Sequence, residues 1–418
     1  MKYSVCLLLF AGLFVRCADD ETATSAPPPN LTPLSGEAIV LAESGNAFTL
    51  NLFQEIYQER SEENIFISPL SVDVALHMTA NGAAGSTHTE MKEGLGTAGL
   101  SDEEANQAVH DLSAQLTGID RAVTLSTANS IWFRDQYTLQ AGFSELIQTY
   151  YDGWIEGLNF DQPNSKDRIN GWVENQTRGK IKSLVEEVRG SDVMFLINAT
   201  YFKANWQYQF DPQQTQEAPF YQEDGTAVSV PMMFSEGVKL RHYYDPSFRL
   251  LDIPYGNGQF SLVVLLPEAT AGSVASVMDQ LTLVNLNQWI AQADTLTPQL
   301  YLPEFTTSFK MKLNEPLMRL GMVVPFNSRS ADFSKFFQGV DGGLYLDRVI
   351  HQSFIEVNEQ GTEAAAATVS TISSLSAASI PQPMSVRVDR SFVYLIREKH
   401  TQAILFVGTM LNPAESAN

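Results

Sequence analysis

Six histidines, two cysteines and 48 acidic residues are the side chains here that could do chemistry, and their spacing assembles no familiar catalytic set. His77, His88, His110, His242, His351 and His400 lie far apart. No His-Glu-x-x-His, paired-cysteine zinc spacing, phosphate-cradling glycine loop or Gly-x-Ser-x-Gly elbow occurs. The carboxylates are scattered, so no acid–base pair can be picked from them. His351 falls in the strand-like run DRVIHQSFIEV, where a hydrogen-bonded core histidine is a better reading than a general base. No catalytic residue, metal site or cofactor is expected, and an enzyme stays open only because the absence of a motif is weak evidence.

One stretch is unusual in another way. GTEAAAATVSTISSLSAASIPQP, residues 361–383, has no charged side chain between Ala364 and Ser385, although 18% of the chain is charged. It is too polar for a membrane span and too weakly apolar for a core. Taken alone it reads as a surface helix, alanine being the best helix former, or as a flexible Ser/Ala linker.

Composition narrows the partners. A net charge of −22 argues against nucleic acid, which needs a basic stripe to displace phosphate counterions. The start, MKYSVCLLLFAGLFVRC, sets Lys2 before an apolar run from Val5 to Val15, too short to span a bilayer and typical of a secretory signal over residues 1–17. Cleavage before Cys17 would leave a lipid-bearing cysteine, as in a bacterial lipoprotein. Arg16 is too large for that site, and cleavage just after Cys17 competes. Either way the protein is expected outside the cytoplasm, free or held at the outer surface or in the periplasm by a lipid. Cys6 and Cys17 are the only cysteines, so the folded body has no disulfide and no thiol nucleophile.

Residues 18–44 (TATSAPPPNLTPLSG within them) read as a disordered tether. AFTLNLFQEIY and the run from Pro69 to Ala80 carry helical spacing, and Ser101 should cap a helix with acids in its first turn. VMFLINATYF, FRLLDIPY, FSLVVLLP, VIHQSFIEV, VRVDRSFVYLI and AILFVGTML are β-branched and aromatic runs that predict strands. Helices early and long buried strands late give one α+β domain over residues 45–418.

Several segments then become telling together. FIEVNEQGTEAAAAT resembles the hinge of the serpins. NIFISPLSVDVALHMTANGAAGSTHTEM, INGWVENQTRGKIKSLV, LINATYFKANWQYQFDPQQTQEAPF, LDIPYGNGQFSLVVLLPE, LGMVVPFNSRSADFS and AILFVGTMLNP resemble further serpin motifs in family order, from about residue 47 to Pro413. The resemblance implies three β-sheets, about nine helices and an exposed reactive-centre loop at about residues 359–385. A peptidase attacks this bait. The cut loop enters the largest sheet as a new strand, and the acylated peptidase is dragged away and distorted.

The residues permit that physics. From Thr362, alternate positions read Thr362, Ala364, Ala366, Thr368, Ser370, Ile372 on one face and Glu363, Ala365, Ala367, Val369, Thr371, Ser373 on the other. No charge would enter the buried side, and no proline occurs before Pro381, as a central strand requires. At roughly 3.3 Å per residue such a strand runs about 40 Å. The hinge residues implied are Glu359, Gly361, Thr362, Glu363, Ala364, Ala365, Ala366 and Ala367. Fourteen residues beyond Gly361, the resemblance places the cut between Leu375 and Ser376, while Ile372 and the bonds at Ser374 or Ala377 stay open because the loop is a few residues longer than in many relatives. Leu375 suits a chymotrypsin-, elastase- or subtilisin-like serine peptidase, and a cysteine peptidase remains an option. No Lys or Arg occurs from Gly361 to Val386, which disfavours trypsin-like targets.

The resemblance also implies that Ser68, Ser71, Asn198 and His351 form a polar latch beneath the largest sheet, and that Trp206 stands where insertion begins. Many relatives carry a basic residue after Leu-Pro opposite the hinge glutamate. Here YLPEF puts Glu304 opposite Glu359, and two like charges would loosen the hinge. The expectation is a monomeric, single-use inhibitor. A non-inhibitory carrier or chaperone of the same fold is the alternative, though its hinge would usually be bulkier than Ala364–Ala367.

Overall fold

The computed structural model describes residue 29 and residues 31–190, 192–339, 343–362 and 384–415. Nine α-helices occur among them: α1 (Gly36–Arg60), α2 (Pro69–Ala80), α3 (Gly85–Gly94), α4 (Asp102–Gly118), α5 (Phe143–Tyr151), α6 (Ser165–Gln176), α7 (Val274–Gln280), α8 (Leu283–Gln292) and α9 (Asn314–Arg319). Ser101 caps α4 as predicted, accepting from the Glu104 N–H while the Glu104 carboxylate accepts from the Ser101 backbone N–H. Helix α1 corrects the tether's extent. It begins at Gly36, where Ser35 accepts from Ala38 N–H, and it buries Leu41 and Ala42. The polar, Pro-rich stretch before it masked the apolar run Ala38–Ala42, which is partly buried against the body.

The strands form three sheets. The seven-stranded sheet runs β1 (Ile65–Ile67), β17 (Ile404–Met410), β16 (Phe392–Glu398), β9 (Phe260–Pro267), β8 (Phe248–Pro254), β7 (Leu240–Tyr244), β10 (Asp294–Leu296). The four-stranded sheet runs β15 (Ser385–Arg387), β11 (Gln299–Pro303), β6 (Ala227–Ser235), β5 (Gln216–Tyr221). The six-stranded sheet runs β12 (Phe305–Lys312), β13 (Val349–Asn358), β14 (Gly361–Thr362), β4 (Met194–Asn205), β2 (Val123–Arg134), β3 (Trp154–Leu158).

Two sequence readings change. VRVDRSFVYLI is two strands in two sheets, because the chain bridges across the tip of β5, where Tyr221 pairs with Arg390. Strand β2, VTLSTANSIWFR, went unread because its middle is hydroxyl- and amide-rich rather than apolar. It nonetheless pairs with β4 from Val123 opposite Ala204 to Phe133 opposite Met194.

Helix α2 is buried on nearly every face and lies under the six-stranded sheet. On the opposite face, Ile169, Trp172 and Val173 of α6 pack with Trp132, Phe195 and Ile197 in a separate core. The Trp132 and Trp172 rings meet edge-on at 5.9 Å. The six-stranded sheet is thus held between helices, and the predicted site residues fall along its central seam rather than in the largest sheet, which among the described residues is the seven-stranded one.

Candidate functional site: a seam and its hinge

Strands β4 and β13 pair directly and in parallel only at one end, from Val349 opposite Leu196 to Ser353 opposite Thr200. Asn129, Asn198 and His351 stand in one row across β2, β4 and β13. All three are buried, and Asn198 Nδ2 donates to Asn129 Oδ1 at 2.8 Å. His351 Nε2 accepts the Ser68 backbone N–H at 3.0 Å, so any proton on the neutral ring sits on Nδ1. Burial pushes this imidazole down to about 4, and it is uncharged at neutral pH.

Ser68 and Ser71, at the start of α2, close the row from below. Ser68 O–H donates to the Leu405 carbonyl at 2.9 Å, and the Ser68 and Ser71 hydroxyls lie 2.9 Å apart. Ser71 also hydrogen-bonds Thr200, and Ser353 donates to the Phe66 carbonyl. Sequence reading missed Asn129, Thr200 and Ser353. The period-2 rule would have found the last two, each two residues from a predicted partner on its own strand. The seam is closed by small polar side chains whose net hydrogen bonds contribute ~1 kcal/mol each. Parting them costs less than opening a packed Leu/Val seam and can be offset by new partners.

At the other end the seam is already wedged apart. Gly361 and Thr362 of β14 pair with Asn358 and Val357 on one side and with Asn205 and Ala204 on the other. Gly361 has φ +150°, and a Cβ there would meet the Ala204 carbonyl oxygen at 2.0 Å, so only glycine fits. Thr362 is buried, and its hydroxyl lies 2.6 Å from that of Tyr255. Tyr255 stacks on Trp206 at 4.3 Å. Trp206 holds the turn twice, its indole N–H donating to the Asn358 carbonyl and its backbone N–H to the Gln360 carbonyl, each at 2.8 Å. Phe210 N–H donates to the Glu359 carbonyl at 2.9 Å. Nothing in LDIPYGNGQF marked Tyr255 as the floor of this turn.

Glu304 is not directly opposite Glu359. Phe305 pairs with Val357, so the next rung sets Glu304 beside Asn358. Glu359 Oε1 accepts the Thr215 hydroxyl at 2.6 Å, and burial together with the neighbouring carboxyls of Glu359, Glu356 and Glu217 pushes Glu304 up to about 7. The like charges expected to face each other at the hinge are therefore not a direct cross-strand pair. Glu363, Ala364, Ala365, Ala366, Ala367, Leu375, Ser376 and Cys17 lie outside the described residues.

A line Asp73–His77–Thr97 has the composition of a catalytic triad, with His77 Nδ1 3.5 Å from Asp73 Oδ2 and Nε2 3.2 Å from Thr97 Oγ1. Asp73 and His77 lie on α2 and Thr97 just beyond α3, and all three are buried out of reach of a substrate. Among the described residues no group of three or more His, Cys, Asp or Glu is placed to hold a metal ion.

The six-stranded sheet is thus wedged at one end by β14 and closed at the other by small polar groups. Residues 43–413 match the family described as Serpin (serine protease inhibitor). The chain is 33% identical to chicken neuroserpin over 87% of its length and 90% of that protein's. It is 31% identical to human serpin B11 over 89% and 99%. Among solved structures, human thyroxine-binding globulin complexed with thyroxine superposes with a TM-score of 0.82 at 28% identity, covering 91% of this chain and all of that one. Tengpin, a thermophilic serpin in its native state, gives 0.79 at 30% identity over 93% and 97%. The chain belongs to the serpin family, whose members are mostly protease inhibitors rather than enzymes.

Proposed function

We propose that this chain is a single-use inhibitor of serine peptidases that favour an apolar residue before the cut. The observation that carries the reading is β14: the first two residues of the loop already stand as a strand between β4 and β13. Below them lies the slot a longer strand would occupy, opened by parting the pairs from Leu196–Val349 to Thr200–Ser353. Residues 362–373 supply twelve positions, matching the ten of β13 and twelve of β4 beside which they would lie.

In this reading the peptidase nucleophile attacks the Leu375 carbonyl and forms an acyl bond to it, and the Ser376 amine leaves. Thr362 then leads the cut loop down the seam. Trp206 and Tyr255 guide the start, and the Ser68, Ser71, Asn198 and His351 groups exchange partners as the strands part. The attached peptidase is carried along and distorted before water can release it. Export under the signal at residues 1–17, ending free or lipid-linked at Cys17, would place the inhibitor where it meets such peptidases. Among the described residues no helix is long and apolar enough to cross a membrane.

Incubation with chymotrypsin, pancreatic elastase and subtilisin tests this. The expected result is a complex that survives SDS electrophoresis, with a released peptide beginning at Ser376 by mass spectrometry. Rapid cleavage without adduct at any bond would reject it.

One observation favours a carrier instead. A cavity of about 420 Å³, lined by Ile39 and Asn46 of α1, Leu283 and Val284 of α8, and His400, has the size of a small-ligand site, and thyroxine-binding globulin is a structural neighbour. Cleavage without adduct, together with ligand-dependent melting in the presence of thyroxine, would move the conclusion there.

A further inference from the structure

Helix α2 carries a carboxyl and an imidazole that the seam does not use. Asp73 and His77, one turn apart, are 1% and 4% exposed. His77 Nδ1 lies 3.5 Å from Asp73 Oδ2 and donates to the Asp73 carbonyl at 3.0 Å, while Nε2 is 3.2 Å from Thr97 Oγ1. Neither carboxyl oxygen of Asp73 accepts a hydrogen bond among the described residues. An ionised carboxylate buried without donors is costly, and a neutral imidazole beside it does not offset the charge. A second proton on the ring turns the contact into a carboxylate–imidazolium pair with no net charge.

We propose that Asp73 and His77 form a buried one-proton site that keeps α2 seated beneath the seam. With the proton bound, the pair is neutral as a unit and α2 stays packed. When the proton leaves, an uncompensated negative charge remains inside the helix, and α2 loosens. Ser71, which hydrogen-bonds Ser68 and Thr200, is two residues from Asp73, so the disturbance falls next to the latch. The proton site stands on its own geometry, whereas its effect on the seam rests on the strand-insertion reading above.

The neighbouring elements leave Asp73 to be answered from within its own helix. From α1 the Gly45 backbone lies against Asp73, so close that a Cβ there would sit 3.7 Å from Oδ2, and it brings no charge. Helix α3 brings Lys92 and His88, and α4 brings Asp102, which engages them at 3.1 Å and 2.9 Å. Helix α5 brings Tyr151, whose phenol burial pushes far above its ordinary range and which hydrogen-bonds Asn81 and Asn106. Strand β17, residues 125–133 of β2 and residues 194–202 of β4 carry no acidic or basic side chain. Burial opposes a charge on His77, and so does Lys92, but the Asp73 carboxylate and carbonyl outweigh both and hold the imidazole above its ordinary value. A histidine raised in this way stabilises the fold fully below its unfolded value of about 6.5, and the contribution is lost as pH rises through the folded value.

Histidine ring resonances of the intact full-length protein, followed by NMR from pH 5 to pH 9, test the site. The signal missing from Asp73→Ala/His77→Leu identifies His77, and that double variant is expected to fold because both partners of the buried pair are removed together. In the wild type the His77 ring should stay charged after an ordinary histidine has lost its proton near about 6.5. Asp73→Asn, which keeps the shape and removes the charge, should bring that titration down. Between pH 6 and pH 9 the wild type should lose about 2–4 °C more melting temperature than either variant. A synthetic peptide with the sequence of residues 362–373, added to intact protein and followed on native gels, should be taken up about threefold to tenfold faster at pH 9 than at pH 6 in the wild type, measured against the same ratio in the double variant. A His77 ring that loses its proton at or below the ordinary value, with equal melting profiles in wild type and variants, would overturn the proton site. A late-titrating ring with equal uptake ratios would overturn its coupling to the seam. Failure to form any SDS-resistant complex with a peptidase bears on the inhibitor reading alone, and the NMR and melting comparisons are unaffected by it.

Discussion

Strands β9, β16 and β17 of the seven-stranded sheet are buried along their whole length by mostly apolar side chains. Strands β4 and β13 of the six-stranded sheet instead meet along a row that includes Asn198, Thr200, His351 and Ser353. Both regions are buried and both are paired, so burial and pairing do not distinguish them. What differs is the penalty for parting the strands. An interdigitated apolar seam loses dispersion contacts and leaves a cavity when it opens. A seam of hydroxyls, amides and one neutral imidazole exchanges hydrogen bonds at little net loss, provided an incoming strand brings partners. The proposed insertion would open the second seam and leave the first shut, and five substitutions can break or sharpen that contrast.

The largest effect should come from Ala366→Arg. An unpaired guanidinium entering the buried face costs several kcal/mol, enough to block insertion. SDS-stable complex should disappear while cleavage of the loop persists, and a variant that still traps peptidase would sink the strand-insertion mechanism. Next, Leu395→Ala in β16 should destabilise intact and loop-cleaved protein alike, by about 2–5 kcal/mol, because that sheet is the same in both states. Ser71→Ala should weaken chiefly the intact form, by about 1–2 kcal/mol, as the latch it serves is rearranged on cleavage. Paired melting curves of intact and nicked protein read both, and equal losses in both forms for Ser71→Ala would erase the distinction between the sheets.

Gly361→Ala tests the wedge itself. A methyl 2.0 Å from the Ala204 carbonyl should expel β14, costing about 1–3 kcal/mol and changing the fluorescence of Trp206, which holds the turn. Unchanged emission and stability would show that the wedge is not seated as described. The smallest effect is expected from Glu304→Lys. A lysine facing Glu359 should raise the melting temperature of the uncleaved protein by the worth of a screened ion pair, about 0.5–1 kcal/mol. No rise, or a fall, would reject the pairing of position 304 with Glu359.

How much of this could be read in advance followed the range of the forces involved. The Ser101 cap, the apolar runs of β8, β9, β13 and β17 and the small-residue hinge are local patterns, and local patterns survive in a single sequence. Strand β2 was not legible, since its Ser, Thr and Asn look like a loop until Asn198 and α2 are placed against them. The first turns of α1 were hidden likewise, because nothing in residues 36–44 states that a body lies beside them.

The sequence by itself determined that this chain is one serpin domain carrying an uncharged, proline-free segment fit to become a strand, because side-chain size, charge and two-residue alternation are properties of the segment alone. Tertiary structure decided where that strand starts, with Gly361 and Thr362 between β13 and β4, and which groups hold the start: Tyr255 under Thr362, Trp206 on the turn and Thr215 on Glu359. The Trp206 partner lies 152 residues from Asn358 in the chain, and no local pattern encodes a register between groups that only the folded backbone brings within reach.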